Sequence, residues 1–539
     1  MKLNYQGIQD KMAWKAANIT LPAFDWKQIS EKTKKNPIWL HFGAGNIFRG
    51  FIARLQQRLL EQGLVKEGII AAETFDFEII DKIYKPYSNM AIMAGLKPNG
   101  EIEKEIVASI TEALCVNPLY PDDMARLKEI IREKSLQLIS FTITEKGYAL
   151  TDIEGNDIPV VRSDMEKGPS DCSHIISIIT ACLWERYLVG AYPIALVSMD
   201  NCSHNGEKLS ASILTVAEIW QKKGFVSINF IKWLKNKEKV SFPWSMIDKI
   251  TPRPSKKTEE LLTAAGVEDM SPIVTKKNTY IAPFVNTEIP QYLVIEDNFP
   301  NGRPPLEQAG VYMTTRDIVN AAERMKVTTC LNPLHTTLAI FGCLLGYHSI
   351  AEEMNDPQLR KLVEQIGYKE GLPVVTDPGI LSPKQFLKEV LMERLPNPFL
   401  PDTPQRIATD TSQKLAIRFG ETIKAYKNNI ELQIGQLTFI PLTIAGWFRY
   451  LIGIDDNGNQ MPLSPDPMLE QLTAQLSNIT LGCQEEELKI LDNILSNVSL
   501  FGSDLVAIGL ADKIKKMFYS MLKGDGAVRE TLKEHLTGI

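Results

Sequence analysis

The sequence predicts an α/β protein in which a doubly wound parallel sheet is followed by a mostly α-helical second part. Three observations carry this: a strand, a glycine turn and a helix in direct succession near residue 40, strands alternating with helices up to about residue 220, and long helical periodicity from about residue 313.

Taken in order, Ile38-Trp39-Leu40-His41-Phe42 reads as a short buried strand, and Gly43-Ala44-Gly45-Asn46 as the turn after it. Apolar residues at 47, 48, 51, 52, 55, 59 and 60 fit a 3.6-residue period that Gly63 ends. Further strands are expected at 68–72, 137–143 and 193–198, with helices at 123–134, 173–190 and 207–223. Beyond 313 the apolar-periodic stretches are 316–331, 334–347, 357–366, 383–394, 404–427, 436–453, 484–496 and 503–522. Pro- and Gly-rich segments at 298–305 and 395–401 punctuate this region, and the first marks the domain boundary, giving domains 1–310 and 311–539.

Composition narrows the function. With 539 residues, 59 Lys+Arg against 65 Asp+Glu and a net charge of −6, the chain lacks the basic footprint of nucleic-acid binding or of a polybasic membrane contact. A small-molecule partner is expected, with no nucleic acid and no membrane. No apolar run reaches the roughly 18 residues a bilayer needs, and the N-terminus has no hydrophobic segment behind its charges. The seven cysteines are odd in number and scattered without CxxC, so reduced thiols in a cytoplasm are expected. The six histidines form no HxxxH, and Cys172 with His174 supplies only two ligands, so no bound metal is expected.

Gly43 and Gly45 allow a tight turn and the approach of a pyrophosphate to a helix N-terminus, as in a Rossmann-like NAD-binding domain. The GxGxxG fingerprint is incomplete: Phe48 stands at the third glycine and Gly50 comes two positions late, so a plain strand-to-helix turn stays open on spacing alone. Glu73 and Asp76, after the second strand, are candidates for the ribose hydroxyls and equally for solvated loop carboxylates.

Three segments set polar groups beside apolar sequence, where an unsatisfied group costs about 1–3 kcal/mol. Val197-Ser-Met-Asp200-Asn201-Cys-Ser-His-Asn205-Gly206 follows a strand and so lies at the sheet's carboxyl edge. Met246-Ile-Asp248-Lys-Ile-Thr-Pro252 and Glu323-Arg-Met-Lys326-Val-Thr-Thr-Cys-Leu-Asn332-Pro333-Leu-His335 are the others. Each has a structural reading: Asp200 and Asn201 as caps, Asp248 in a turn, Lys326 as a solvated helix residue, His335 as a hydrogen-bonded core histidine.

Together with Gly43-Ala-Gly45-Asn46-Ile-Phe48-Arg49-Gly, Phe141-Thr-Ile-Thr-Glu145-Lys-Gly147-Tyr148 and Asp410-Thr-Ser412-Gln-Lys414, these motifs occur in an order that resembles the polyol-specific long-chain dehydrogenases, the mannitol dehydrogenase family, over residues 38 to about 420. In that family a Phe or similar residue followed by Arg replaces the third glycine. The resemblance implies metal-free, NAD-dependent oxidation of a secondary alcohol. Lys326 would be the general acid/base, Asn201 and Asn332 would hold the reacting oxygen, and Asp248 and His335 would sit beside them. Arg406, Lys414 and Glu145 would contact the rest of the substrate, and Glu323 would relay protons. Gly43, Gly45, Asn46, Phe48 and Arg49, with Glu73 or Asp76, would hold NAD.

The chemistry is consistent with these roles. Amide donors stabilise a developing alkoxide by about 3–4 kcal/mol each in a water-excluded site. A lysine exchanges protons near neutrality only if its pKa falls about three units below 10.4, through desolvation and a second cation such as Lys414.

One departure sharpens the expectation. The family spaces the lysine and asparagine five residues apart and this chain six, which in a regular helix carries Asn332 about 100° further round. A π-bulge or a Pro-linked kink between 326 and 333 is therefore expected.

Within the family, Thr287–Asp297 and the 326–347 segment most resemble the hexuronate-reducing branch, which interconverts D-mannonate and D-fructuronate; polyol 2-dehydrogenation and tagaturonate reduction are the alternatives. A substrate carboxylate needs a cation, for which Arg406, Lys414 and Arg253 are the candidates. Two readings from other classes remain: an NAD-binding regulatory protein without redox chemistry, and a flavin-dependent polyol oxidase.

Overall fold

Residues of the central strands alternate between two faces that are both apolar, which places these strands inside the protein. In the computed structural model, which describes residues 1–152 and 154–537, the strands are β1 (Trp39–Phe42), β2 (Ile69–Glu73), β3 (Ile110–Cys115), β4 (Leu138–Phe141), β5 (Ile194–Ser198) and β6 (Val240–Ser241). They form one sheet in the order β3-β2-β1-β4-β5-β6 with every pairing parallel. Leu40 and Phe42 join Ile70, Ile139, Phe141 and the helix residues Ile176, Ile179 and Leu209 on one face. Trp39 joins Ile69, Ala71, Leu138, Phe48 and Leu55 on the other. The strand order reverses at β1, and in such sheets ligands bind outside the carboxyl ends at that point.

The chain divides into units Met1–Asn320 and Ala321–Ile539. The sequence reading places the cut at 310; strand Tyr312–Thr314 pairs with Tyr292–Glu296, which pairs with Ser245–Asp248, and this small sheet carries the first unit onward. A second small sheet, Phe284–Glu288 with Ala91–Leu96 and Ile102–Val107, was not expected. Nor was β3, whose Thr111 and Glu112 break the apolar run.

The second unit is helical. The stretch α1 (Arg316–Arg324), a π-helical turn at Met325–Cys330 and α2 (Asn332–Leu345) is long and apolar enough to cross a bilayer by length and composition, but 78% of its most apolar window is buried within the protein. α2 packs against α3 (Phe439–Leu451), which is buried on every side, as befits a core helix. Gly446 permits the close approach, since a Cβ there would lie 2.7 Å from the Phe341 ring. The single helix expected over 404–427 is broken into Pro404–Ala408, a π turn at Ala416–Gly420 and Glu421–Asn428. Asp410 is left-handed at φ +55°, and the Ser412 amide is diverted to Asp466 at 2.8 Å. None of the seven cysteines forms a disulfide among the described residues, and six of them are buried.

Candidate active site

The two glycines of the turn differ in what surrounds them. Gly43 has φ +107°, and a Cβ there would meet the Thr142 carbonyl oxygen at 2.2 Å. At Gly45 a Cβ would meet nothing within 4 Å, so open space lies where the following helix begins. Gly50 supplies the close packing expected of the third glycine, with its Cβ position 2.8 Å from Thr287 and Val285 side-chain carbons.

Phe48 is fully buried and stacks on His41, centroids 4.0 Å apart. Arg49 is also buried; its Nη2 donates to Asn46 Oδ1 at 3.0 Å and to the Ala282 carbonyl at 2.8 Å. Both residues, grouped with the cofactor loop by the sequence reading, thus face the interior and brace the turn. His41 is a supporting residue that the sequence reading passed over. Its ring nitrogens lie 2.6 Å from Ser140 Oγ and 2.9 Å from Thr142 Oγ1, and burial pushes its pKa down to about 3, so it is neutral. Its only signal in the sequence is a polar residue inside an otherwise apolar strand.

At the end of β2, Glu73 is already engaged. Oε2 accepts the Ala44 amide at 2.9 Å, and Oε1 accepts those of Thr74, Phe75 and Asp76 at 2.8–3.3 Å. The carboxylate ties the glycine turn to its own strand and keeps acceptor capacity on Oε2. Asp76 is buried and accepts the Thr275 hydroxyl at 2.6 Å.

The motif after β5 resolves into separate tasks. Asp200 accepts the amides of Ile143 (3.0 Å) and Thr144 (2.9 Å) and the Tyr148 hydroxyl (2.6 Å), joining the ends of β4 and β5. Asn205 donates to the Asp200 carbonyl and to both oxygens of Ser245, and accepts from the Ser245 and Gly206 amides. At Gly206 a Cβ would meet the Phe242 carbonyl oxygen at 2.6 Å. These residues build the loop, on which Asn201, Ser203 and His204 are exposed. Asp248 ends its strand buried. Glu145 is exposed and pairs with Lys208; Arg253 is exposed.

The second unit supplies the lysine. Lys326 is 2% exposed and sits in the π turn Met325–Cys330, closed by the bond from the Leu331 amide to the Lys326 carbonyl at 3.1 Å. A π turn was one of the two irregularities expected between 326 and 333 from the shorter spacing that the resemblance implies. Asn332 then opens α2, and Glu323 lies partly buried one turn before Lys326.

On the next turn of α2, His335 Nε2 lies 3.5 Å from Asp402 Oδ2 and makes no hydrogen bond among the described residues. Burial pushes the imidazole down to about 4; Asp402 opposes this, and Arg418, Arg406 and Arg394 add to it. The ring is neutral at pH 7. Arg406 is exposed and pairs with Asp402. Lys414 donates to the carbonyls of Thr409 and Ile407, and burial with the neighbouring Arg418 lowers its pKa. Arg418, absent from the sequence reading, donates to the Thr336 hydroxyl beside His335.

A strand order of 3-2-1-4-5-6, a glycine turn at the switch point and a buried lysine on a following helical unit define a nucleotide-dependent dehydrogenase class. Residues 37–308 match the family model "Mannitol dehydrogenase Rossmann domain", and residues 319–522 match "Mannitol dehydrogenase C-terminal domain". The chain belongs to the mannitol dehydrogenase family. It is 54% identical over 99% of both chains to a D-mannonate oxidoreductase of Thermotoga maritima. It is 28% identical to a D-mannonate oxidoreductase of Escherichia coli, over 84% of this chain and 86% of the relative. The structure of Pseudomonas fluorescens mannitol 2-dehydrogenase, a ternary complex with NAD and D-mannitol, shares the fold with TM-score 0.71 at 24% identity, covering all of both chains.

Proposed function

We propose that the chain is an NAD-dependent oxidoreductase that interconverts D-mannonate and D-fructuronate, with Lys326 as the general acid/base. The observation that carries the substrate assignment is the 54% identity, over 99% of each chain, with a D-mannonate oxidoreductase.

The glycine turn fits a dinucleotide. Gly45 leaves open space at a helix start, and Glu73 retains acceptor capacity at the end of β2. The amides at 45 and 46 and the Asn46 side chain would hold the pyrophosphate, and Glu73 the ribose hydroxyls. Bound there, NAD supplies the hydride acceptor, and NADH the donor.

The chain's own residues manage the proton. In reduction, the Lys326 ammonium gives a proton to the oxygen of the carbon that receives hydride; in oxidation, the neutral amine takes it back. A lysine serves such exchange near neutral pH only where its surroundings disfavour the ammonium, and Lys326 is 2% exposed. The amide group of Asn332 donates to the same oxygen and stabilises its charge. Neutral His335 offers a ring nitrogen to a substrate hydroxyl.

A kinetic panel with NADH and with NADPH tests the assignment, using fructuronate, tagaturonate, fructose and fructose 6-phosphate. Fructuronate with NADH is expected to give the highest kcat/KM; a preference for fructose would overturn the uronate assignment.

A further inference from the structure

The neighbouring cations Arg406, Lys414 and Arg418 differ in what neutralises them. Arg406 is exposed and already paired with Asp402, its counter-ion four residues earlier. Lys414 directs its ammonium to two main-chain carbonyls, those of Thr409 and Ile407. Arg418 has neither arrangement. It is partly buried, its one hydrogen bond goes to the neutral hydroxyl of Thr336, and no carboxylate pairs with it among the described residues.

A guanidinium withdrawn from water without a counter-ion is costly to keep, and a bound anion would offset that cost. Burial alone accounts for the lowering of the Arg418 pKa to about 10, with no acidic neighbour to offset it.

Its position suits a substrate anion. Arg418 belongs to the π turn Ala416–Gly420, which packs against the π turn Met325–Cys330 that carries Lys326. Its partner Thr336 adjoins His335, and the Thr336 hydroxyl donates to the carbonyl of Asn332 at 3.0 Å. An anion on Arg418 therefore lies beside the first turn of α2, where Asn332 and His335 emerge.

We propose that Arg418, and not Arg406, receives the carboxylate of the sugar-acid substrate. A second carboxylate brought to Arg406 would crowd Asp402 with a like charge, whereas at Arg418 it supplies the missing counter-ion through a charge-assisted, planar contact. Arg406 then serves the neutral hydroxyls. This inference rests on the sugar-acid reading above and adds the residue that distinguishes a carboxylate from a hydroxymethyl end.

The test compares wild type with Arg418→Met, Arg418→Lys and Arg406→Met, each assayed with NADH on D-fructuronate and on D-fructose. Arg418→Met is expected to lower kcat/KM for fructuronate on the order of 100-fold more than for fructose, chiefly through KM. Arg418→Lys should recover part of the loss, and Arg406→Met should affect the two substrates alike. Without substrate, Arg418→Met should resist urea at least as well as wild type, because an uncompensated cation has gone.

If wild type reduces fructuronate but Arg418→Met loses both substrates equally, or if Arg406→Met shows the carboxylate-selective loss, the inference is overturned and the functional reading stands. A wild type that reduces fructose and leaves fructuronate untouched removes the sugar-acid reading itself. Should Arg418→Met fail to fold, the Lys variant decides by the same substrate ratio.

Discussion

The polar groups at the ends of β2 and β5 can be set beside those at the start of α2. In the first unit, Glu73, Asp200 and Asn205 direct their side chains to backbone amides and carbonyls of neighbouring strands. In the second, His335 Nε2 has no hydrogen bond and Arg418 no carboxylate partner among the described residues. The first arrangement holds a shape whether or not a ligand is present. The second leaves hydrogen-bonding and charge capacity unfilled, which costs stability that a substrate bound as proposed would recover. Under the proposed function the two units divide the work: the first presents a glycine turn held by its own bonds, and the second offers polar groups that substrate would complete.

The largest difference in stability should come from Asn205→Ala. It removes the partner of five hydrogen bonds between the end of β5, Gly206 and Ser245. A loss of about 2–4 kcal/mol is expected in urea denaturation monitored by tryptophan fluorescence. A loss below about 0.5 kcal/mol would show that the loop does not depend on this network.

A smaller effect, confined to acid, should separate His335 from that scaffold. Its folded pKa of about 4 lies below the unfolded value of 6.5. The neutral ring's contribution is therefore fully present above pH 6.5 and is lost as pH falls towards 4. His335→Gln should lose less stability than wild type between pH 7 and 4.5, while lowering kcat/KM at pH 7. Parallel stability curves for the two proteins would show that burial of His335 carries no proton-linked cost.

The legible parts of this molecule were those where local physics decides. An apolar strand ending in Gly43-Ala44-Gly45 admits few conformations, and both ends of the glycine turn were readable. An irregular helix between Lys326 and Asn332 was expected only because the resemblance implies a spacing one residue shorter, and a π turn lies there, at Met325–Cys330. β3 was not legible because Glu112 interrupts it and it pairs on one side only, with β2. The break at Asp410 was hidden by the helical periodicity on either side of it, and its cause, the Asp466 carboxylate, lies 54 residues from Ser412 in the chain. Arg418 was invisible for a deeper reason: in a sequence it is one arginine among many, and its place at Thr336, beside the π turn of Lys326 and without a carboxylate partner among the described residues, is set only by the fold.

The account turns on the amine of Lys326, and single-turnover hydride transfer in Lys326→Ala tests it most directly, read as NADH absorbance after mixing with saturating fructuronate. The rate should fall by about three orders of magnitude or more, while NADH affinity, measured by fluorescence titration, stays within about twofold of wild type. A transfer rate equal to that of wild type would show that another group moves the proton.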